Sequence, residues 1–309
     1  MPSCRSLRTV AILALLSSSL SAQTVDGIRS SRGLTPEEAK ILSHLSIVSL
    51  PDGQGGTVET LRITGINVQI VNGLGATGTT NGHGNLIVGY NELGNLGGDD
   101  RTGSHNIVGG SGSSFSSHAG LVVGMSNTIS APFAAAGGGV FNRASGFGAS
   151  VSGGSSNDAT GFYGAVAGGI DNLAFGRGAT VSGGVFNRAY GDSSSVSGGQ
   201  INSATGYGAS IGGGTNNVAS ANASSVTGGR GNLASGESAS VSGGRDNTAF
   251  GTWSSISGGR LNDAAAESAS ISGGRANYAA GIGSTVSGGY ARATFLNGNW
   301  AAGSLLEGN

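Results

Sequence analysis

Ala239–Trp253 reads ASVSGGRDNTAFGTW, and near-copies lie on both sides of it. One step earlier the chain reads SSVTGGRGNLASGES, and one step later SSISGGRLNDAAAES. The lines superpose without gaps at a spacing of 15 residues. An apolar β-branched residue holds one phase of this period, at Val151, Val166, Val181, Val196, Ile211, Val226, Val241, Ile256, Ile271 and Val286. Asparagine holds another from Asn127 onward, through Asn157, Asn172, Asn187, Asn202, Asn217, Asn232, Asn247, Asn262 and Asn277. Alanine holds a third, from Ala144 to Ala279.

A fixed period means stacked units, none able to bury its apolar face alone. Fifteen residues are too few for a helix–turn–helix unit but suit one coil of a thin parallel β-solenoid with two short strands. The Val151-type residues are expected to point inward from the first strand and the Ala159-type residues from the second. Gly pairs such as Gly153-Gly154 and Gly243-Gly244 allow a sharp corner, because glycine accepts positive φ. The Asn column is expected to sit at a corner, left-handed, and to hydrogen-bond its copies above and below. It carries no carboxylate, so a calcium ladder is not expected. One Val and one Ala per coil is a small core for a free-standing chain. The columns at 149, 150 and 152, nearly all Ala, Ser, Thr or Gly, therefore read as a surface for close lateral approach of another copy.

Composition agrees with an ordered repeat. Of 309 residues, 62 are Gly and only 4 are Pro, without the every-third-residue Gly of collagen. Residues 1–22 read as a secretory signal peptide, with Arg5 and Arg8 before the apolar run VAILALL and small residues in SLSA. The sole cysteine, Cys4, falls inside it, so no disulfide or cofactor is expected in the mature chain. Without Arg5 and Arg8 the chain has 13 basic residues against 16 acidic ones, which gives no footing for nucleic acid. No later apolar run is long enough for a transmembrane segment.

Residues 23–81 form an N-terminal helix and strand region. Leu34 to Val48 reads as a helix with Thr35 as N-cap, Pro36 at the first position and Glu38 closing a capping box. PDGQGG then marks a turn, and Ile66, Val68 and Ile70 alternate as in a half-buried strand. Residues 82–135 hold irregular rungs, with related phrases at Val88-Gly89, Val108-Gly109 and Val123-Gly124. Residues 136–294 are the regular array, and 295–309 a C-terminal cap.

Ser240, Val241, Gly244, Asn247, Ala249 and Gly251 fall where the head repeat of YadA-like trimeric autotransporter adhesins has its fixed residues, and the array resembles that repeat over about 137–294. The resemblance implies a homotrimer of left-handed parallel β-rolls that binds matrix, glycan or cell surfaces. The rung is one residue longer here, and the family's stalk and membrane anchor do not follow the head.

No motif marks a metal or nucleophilic site. His44, His83, His105 and His118 have no metal spacing and lie outside the array, and the Gly-x-Gly runs do not join a strand to a helix, so no enzyme activity is expected. Asp99-Asp100-Arg101 reads as a solvated loop. Arg230, Arg245, Arg260 and Arg275 share one phase of four successive coils. They read as a solvated stripe, or as a site for an acidic glycan or matrix protein. Phe175, Tyr190, Phe250 and Phe295 share another phase, with Phe162, Tyr163, Tyr207 and Trp253 nearby, and are candidates for stacking on sugar rings. Two functions follow: a secreted adhesin-like head, or a purely structural extracellular solenoid.

Overall fold

The structure, a computed structural model, describes residues 34–303. The signal peptide expected over 1–22 lies outside the described residues, as do 304–309 of the expected cap. The chain divides into two units, with the boundary between Gln69 and Ile70.

Among the described residues the first unit holds one helix, α1 (Pro36–Ser43), and one hairpin of β1 (Leu45–Pro51) and β2 (Thr57–Ile63), paired antiparallel. The capping box is present: the Glu38 N–H donates to Thr35 Oγ1 at 3.3 Å, and Thr35 N–H donates to Glu38 Oε2 at 2.9 Å. The helix is shorter than its apolar pattern suggested. Leu45–Val48 also alternate with period two, and a full ladder with β2 is available to them, so His44 caps the helix and the strand begins at Leu45. No residue of α1 is buried. Ile66, Val68 and Ile70 do not form the expected strand. Gly65, at φ +76°, turns the chain away after β2, and the alternation meets no neighbouring strand, leaving all three exposed.

The second unit is a parallel β-solenoid. Strands at Leu86–Val88, Ile107–Ser111, Leu121–Met125, Ala135–Ala136, Ser150–Val151 and each fifteenth residue thereafter to Trp300–Ala301 make one 15-stranded parallel sheet. Strands from Ser114–Phe115 through Asp158–Ala159 to Ala293–Thr294 make a second, 13-stranded parallel sheet. A third line of single parallel bridges runs from Met125↔Val140 to Arg275↔Tyr290. From the coil of Leu121 onward, each coil is thus tied to the next at three places. The ladder continues past Thr294 into Trp300–Ala301, which pairs with Thr285–Val286.

Register in the first coils differs from the Val-Gly phrases. Ile87 pairs with Val108 and Val108 with Val122, so Val88 and Val123 lie one place outside the inward column. What fixes this is the column of left-handed glycines: Gly89, Gly110, Gly124 and Gly139 all have φ between +75° and +105° and stack on one another. The coil Leu121–Ala134 fits by dropping one residue of the Gly pair.

Five positions of each regular coil point inward, not two. In the coil of Val241 they are Ala239, Val241, Asn247, Ala249 and Gly251, all buried. The other apolar positions from Val151 to Val286 are equally enclosed, at 0–1 % exposure. This places the column of Ala149, Ala179, Ala209 and Ala239 inside the coil, where it cannot meet another chain. Ser150 and Ser152 alone of that trio are accessible. The bore is narrow enough that large residues need local relief. Phe115 and Ile129 fill the alanine column in the first coils, and Gly120 yields space, since a Cβ there would lie 2.5 Å from Ile129 Cδ1.

The two glycines of each pair do different work. Gly244 has φ +87°, and a Cβ on it would sit 2.2 Å from the Gly259 carbonyl oxygen and 2.6 Å from Asn247 Nδ2. A Cβ on Gly243 would meet nothing within 4 Å. Gly244→Ala is therefore expected to lower the melting temperature sharply while Gly243→Ala leaves it nearly unchanged, measured by circular dichroism on matched variants. Val241→Asp, which places a carboxylate in the closed bore, is expected to cost several kcal/mol, on the order of 3 or more.

Candidate functional site

The Asn column is structural and interior. Asn217 shows its pattern. Its Nδ2 donates to the Gly213 carbonyl in its own coil at 2.9 Å and to the Gly229 carbonyl in the next at 3.0 Å. Its Oδ1 accepts the backbone N–H of Asn232 at 3.0 Å. The same three bonds recur at Asn157, Asn172, Asn187, Asn202, Asn232, Asn247 and Asn262. Asn277 keeps both donations, and its Oδ1 accepts the Arg292 N–H at 2.9 Å. The left-handed residue expected here is instead the one before each Asn, such as Ser156 (φ +56°), Asp171 (φ +52°) and Asp246 (φ +53°). The Asn side chain must reach inward to the Gly carbonyls, so the backbone reverses one residue earlier.

Arg230, Arg245, Arg260 and Arg275 lie on the line of single bridges, backbone to backbone in sequence, and all four side chains are exposed. Arg245 Nε pairs with Asp246 Oδ2 at 3.1 Å. The Arg275 guanidinium lies 5.7 Å from the centroid of Tyr290. Among the described residues, the Arg230 and Arg260 side chains have no carboxylate partner, and neither Glu237 nor Glu267 pairs with the column. With coils about 4.8 Å apart, the four charges span about 14 Å. On the same line nearer the N-terminus stand Val140, Ile170 and Val185, so the cationic character is confined to the C-terminal coils.

The aromatic residues gather more than their spacing suggested. Phe175 and Tyr190 are neighbours, with centroids 6.1 Å apart. A longer chain of contacts lies on the corner beside them. His118 meets Phe133 at 5.6 Å, Phe133 meets Phe147 at 5.3 Å, and Phe147 stacks on Phe162 at 4.9 Å with an 8° interplanar angle. Tyr163 packs edge-on against both Phe147 and Phe162, and Arg177 lies 5.7 Å from the Phe162 centroid. The cue missed in the sequence is that Phe147 and Phe162 are one period apart, while Phe133 shares the neighbouring phase of Gly148 and Tyr163, and His118 meets Phe133 across the shortened coil Leu121–Ala134.

Two loops place carboxylates on backbone donors. Asp99 Oδ1 accepts from Asn95 N and Gly94 N at 3.1 and 3.0 Å, and these bonds hold its carboxyl below the ordinary range. Asp99 is therefore a staple within its loop. Asp52 is held low in the same way by the N–H groups of Gln54 and Gly56 in the hairpin turn. His105 also serves a loop, with Nε2 facing the Asn72 N–H at 3.2 Å and Nδ1 facing the Thr77 carbonyl at 3.1 Å. Among the described residues no group of three or more His, Cys, Asp or Glu could hold a metal ion, and no helix is long and apolar enough to cross a membrane.

The outward column beside the alanines contains a matched pair and an unmatched one. Arg143 Nε donates to Asp158 Oδ2 at 3.1 Å. Asp263 lies between Thr248 and Tyr278 in that column, and its Oδ1 is buried with no hydrogen-bond partner. Burial raises its carboxyl above the ordinary range.

The fold defines the class: a parallel β-solenoid repeat protein. No protein-family model matches the chain, and no curated protein is significantly similar to it.

The Asp263 carboxyl gives a pH prediction with a definite sign. Its folded-state pKa is raised, so its contribution to stability is best below the ordinary carboxyl range and is lost as pH rises through the raised value. Asp263→Asn is expected to raise the melting temperature at neutral pH, with the difference closing as the pH falls below that range. A constant difference across the titration would assign the effect to packing.

Proposed function

We propose that the protein is a secreted, adhesin-like head that binds acidic glycan or matrix through its repetitive β-solenoid, and that it works as a homotrimer. The observation that carries the binding reading is the Arg230–Arg275 line. Four guanidiniums stand on four consecutive coils of a rigid ladder, exposed, and only Arg245 is paired with a carboxylate. Like charges at one-coil spacing repel one another, modestly in water. A polyanion laid along the coil axis relieves that repulsion at four points together.

The homotrimer is supported by the resemblance of the repeat and by the outer face of the 15-stranded sheet. There the columns containing Ser150 and Ser152 hold only Ser, Ala, Thr or Gly from residue 135 to 287. Small side chains let one ladder approach another closely. Secretion rests on the leader sequence of residues 1–22.

Three measurements test the parts separately. Arg245→Gln combined with Arg260→Gln is expected to keep the fold, since both side chains are exposed, and to weaken retention on a sulfated or carboxylated polysaccharide severalfold. Wild-type retention is expected to fall with added salt, because exposed charges are screened over about 8–10 Å at moderate ionic strength. Unchanged retention in the double variant would reduce the stripe to a solvated face. Sedimentation equilibrium is expected to give three times the chain mass; a monomer mass with intact β-signal overturns the trimer. N-terminal sequencing of exported protein is expected to begin at Gln23.

A further inference from the structure

The corner opposite in chemistry to the Arg line carries an aromatic track. Seven consecutive coils, from the one holding His118 to the one holding Tyr207, each place at least one ring on the outer positions just after the alanine column. The rings are well exposed: Phe133 52 %, Tyr163 56 %, Phe175 58 % and Tyr207 64 %. Six coil steps of about 4.8 Å give the track a length of about 29 Å.

We infer that this track is a binding surface for a neutral, extended polysaccharide, lying along the coil axis with its sugar faces against the rings. Three features favour that occupant. First, the track is nearly free of net charge. Within its seven coils three arginines, Arg143, Arg177 and Arg188, are balanced by three aspartates, Asp158, Asp171 and Asp192; Arg143 pairs with Asp158, and Asp192 Oδ1 accepts the Arg177 backbone N–H at 2.8 Å. An anionic polymer gains little here. Second, the rings alternate with hydroxyl-bearing and Gly positions. Ser193 and Thr205 are exposed and present donors and acceptors, while Gly178 and Gly208 leave backbone open to close approach. Apolar faces interrupted by hydrogen-bonding groups match the two surfaces of a pyranose, whose C–H face stacks on an aromatic ring while its hydroxyls bond at the edge. A protein partner would instead be served by a continuous dry patch inside a polar rim. Third, the coils repeat at one short interval of about 4.8 Å, which sets rings on neighbouring coils against neighbouring sugars of an extended β-linked chain.

The track does not depend on the Arg line or on the oligomeric state. It occupies different positions of the coil and the other half of the array.

Affinity electrophoresis of the full chain in gels containing hydroxyethylcellulose, mixed-linkage β-glucan or glucomannan tests the inference. At least one of these neutral polymers is expected to retard the protein, with retardation preserved at high salt. Tyr190→Ala combined with Tyr207→Ala, and separately Tyr163→Ala, is expected to weaken it about fivefold, the scale of one or two lost ring contacts. Two independent variants are used so that one misfolded product does not decide the result, with circular dichroism confirming the β-signal. Arg245→Gln with Arg260→Gln is expected to bind the neutral polymer like wild type, which separates this site from the cationic line. The inference is overturned if none of the three polymers retards the chain, if the ring variants bind unchanged, or if salt abolishes retardation. It is also overturned if the ring variants lower the self-association mass in the absence of polysaccharide, because the track is then a contact between copies.

Discussion

The solenoid depends on one side-chain amide per coil. A chain that turns three times in fifteen residues cannot pair all its backbone groups by strand ladders alone, and a buried unpaired carbonyl or N–H costs about 1–3 kcal/mol. The glycine corner is where that problem is sharpest. At Asn217 one amide takes up the Gly213 carbonyl, the Gly229 carbonyl of the next coil and the Asn232 N–H. Two of these three bonds cross between coils. Each Asn therefore closes its own corner and fixes the register of its neighbour. Aspartate would lack the donors and bring a charge into the bore. Serine would be too short to reach both carbonyls.

This arrangement also sets what the corner residues can be. Holding the Asn side chain inward forces the preceding residue into the left-handed region, a cost of roughly 1–2 kcal/mol for an L-residue with a Cβ. The chain accepts that cost even at Phe141, Phe186 and Ile201. Glycine is required two residues earlier for a different reason: a Cβ at Gly244 would collide with the next coil. Stability in such a stack is close to a sum over coils and their interfaces. The asparagine column stops before the backbone ladder does, which runs on to Trp300–Ala301. At Arg292 the backbone N–H still bonds to Asn277, but the side chain has no amide to pass on, and its Nε is buried without a partner.

Much of this was legible in the sequence because the interior tolerates almost no variation. Val241, Ala249, Asn247 and Gly244 recur because each fills a space bounded by its own copies, so period and residue type together reveal the column. The capping box of Thr35 and Glu38 was legible for a similar reason, being a local exchange between neighbours. Other features depended on partners that spacing does not disclose. Ala149 and Ser150 look alike in the sequence, yet one faces the bore and the other the outside. Ile66, Val68 and Ile70 have a strand's alternation without a strand beside them. Leu45–Val48 satisfied a helical and an extended pattern at once, and the available β2 partner decided between them. The aromatic track was hidden because its rings occupy neighbouring columns and cross a shortened coil.

The outward columns follow a different logic. Since five inward positions and three bridges hold each coil, an outward residue can change without disturbing the scaffold. That freedom explains why the bridge column passes from Val140 and Ile170 to Arg230 and Arg275 within one uninterrupted ladder. It also lets the phase of Phe175 and Tyr190 pass through Thr205, Ser220 and Ser235 and return to an aromatic residue at Phe250, beside the Arg line. Stacked rings gain from neighbours that keep water off their faces, as Phe147, Phe162 and Tyr163 do for one another. Arg177 lies among those rings, 5.7 Å from the Phe162 centroid, as Arg275 lies beside Tyr290 farther along the axis. Each guanidinium covers a ring face there, so the outward columns are repopulated coil by coil while the bore beneath them stays fixed.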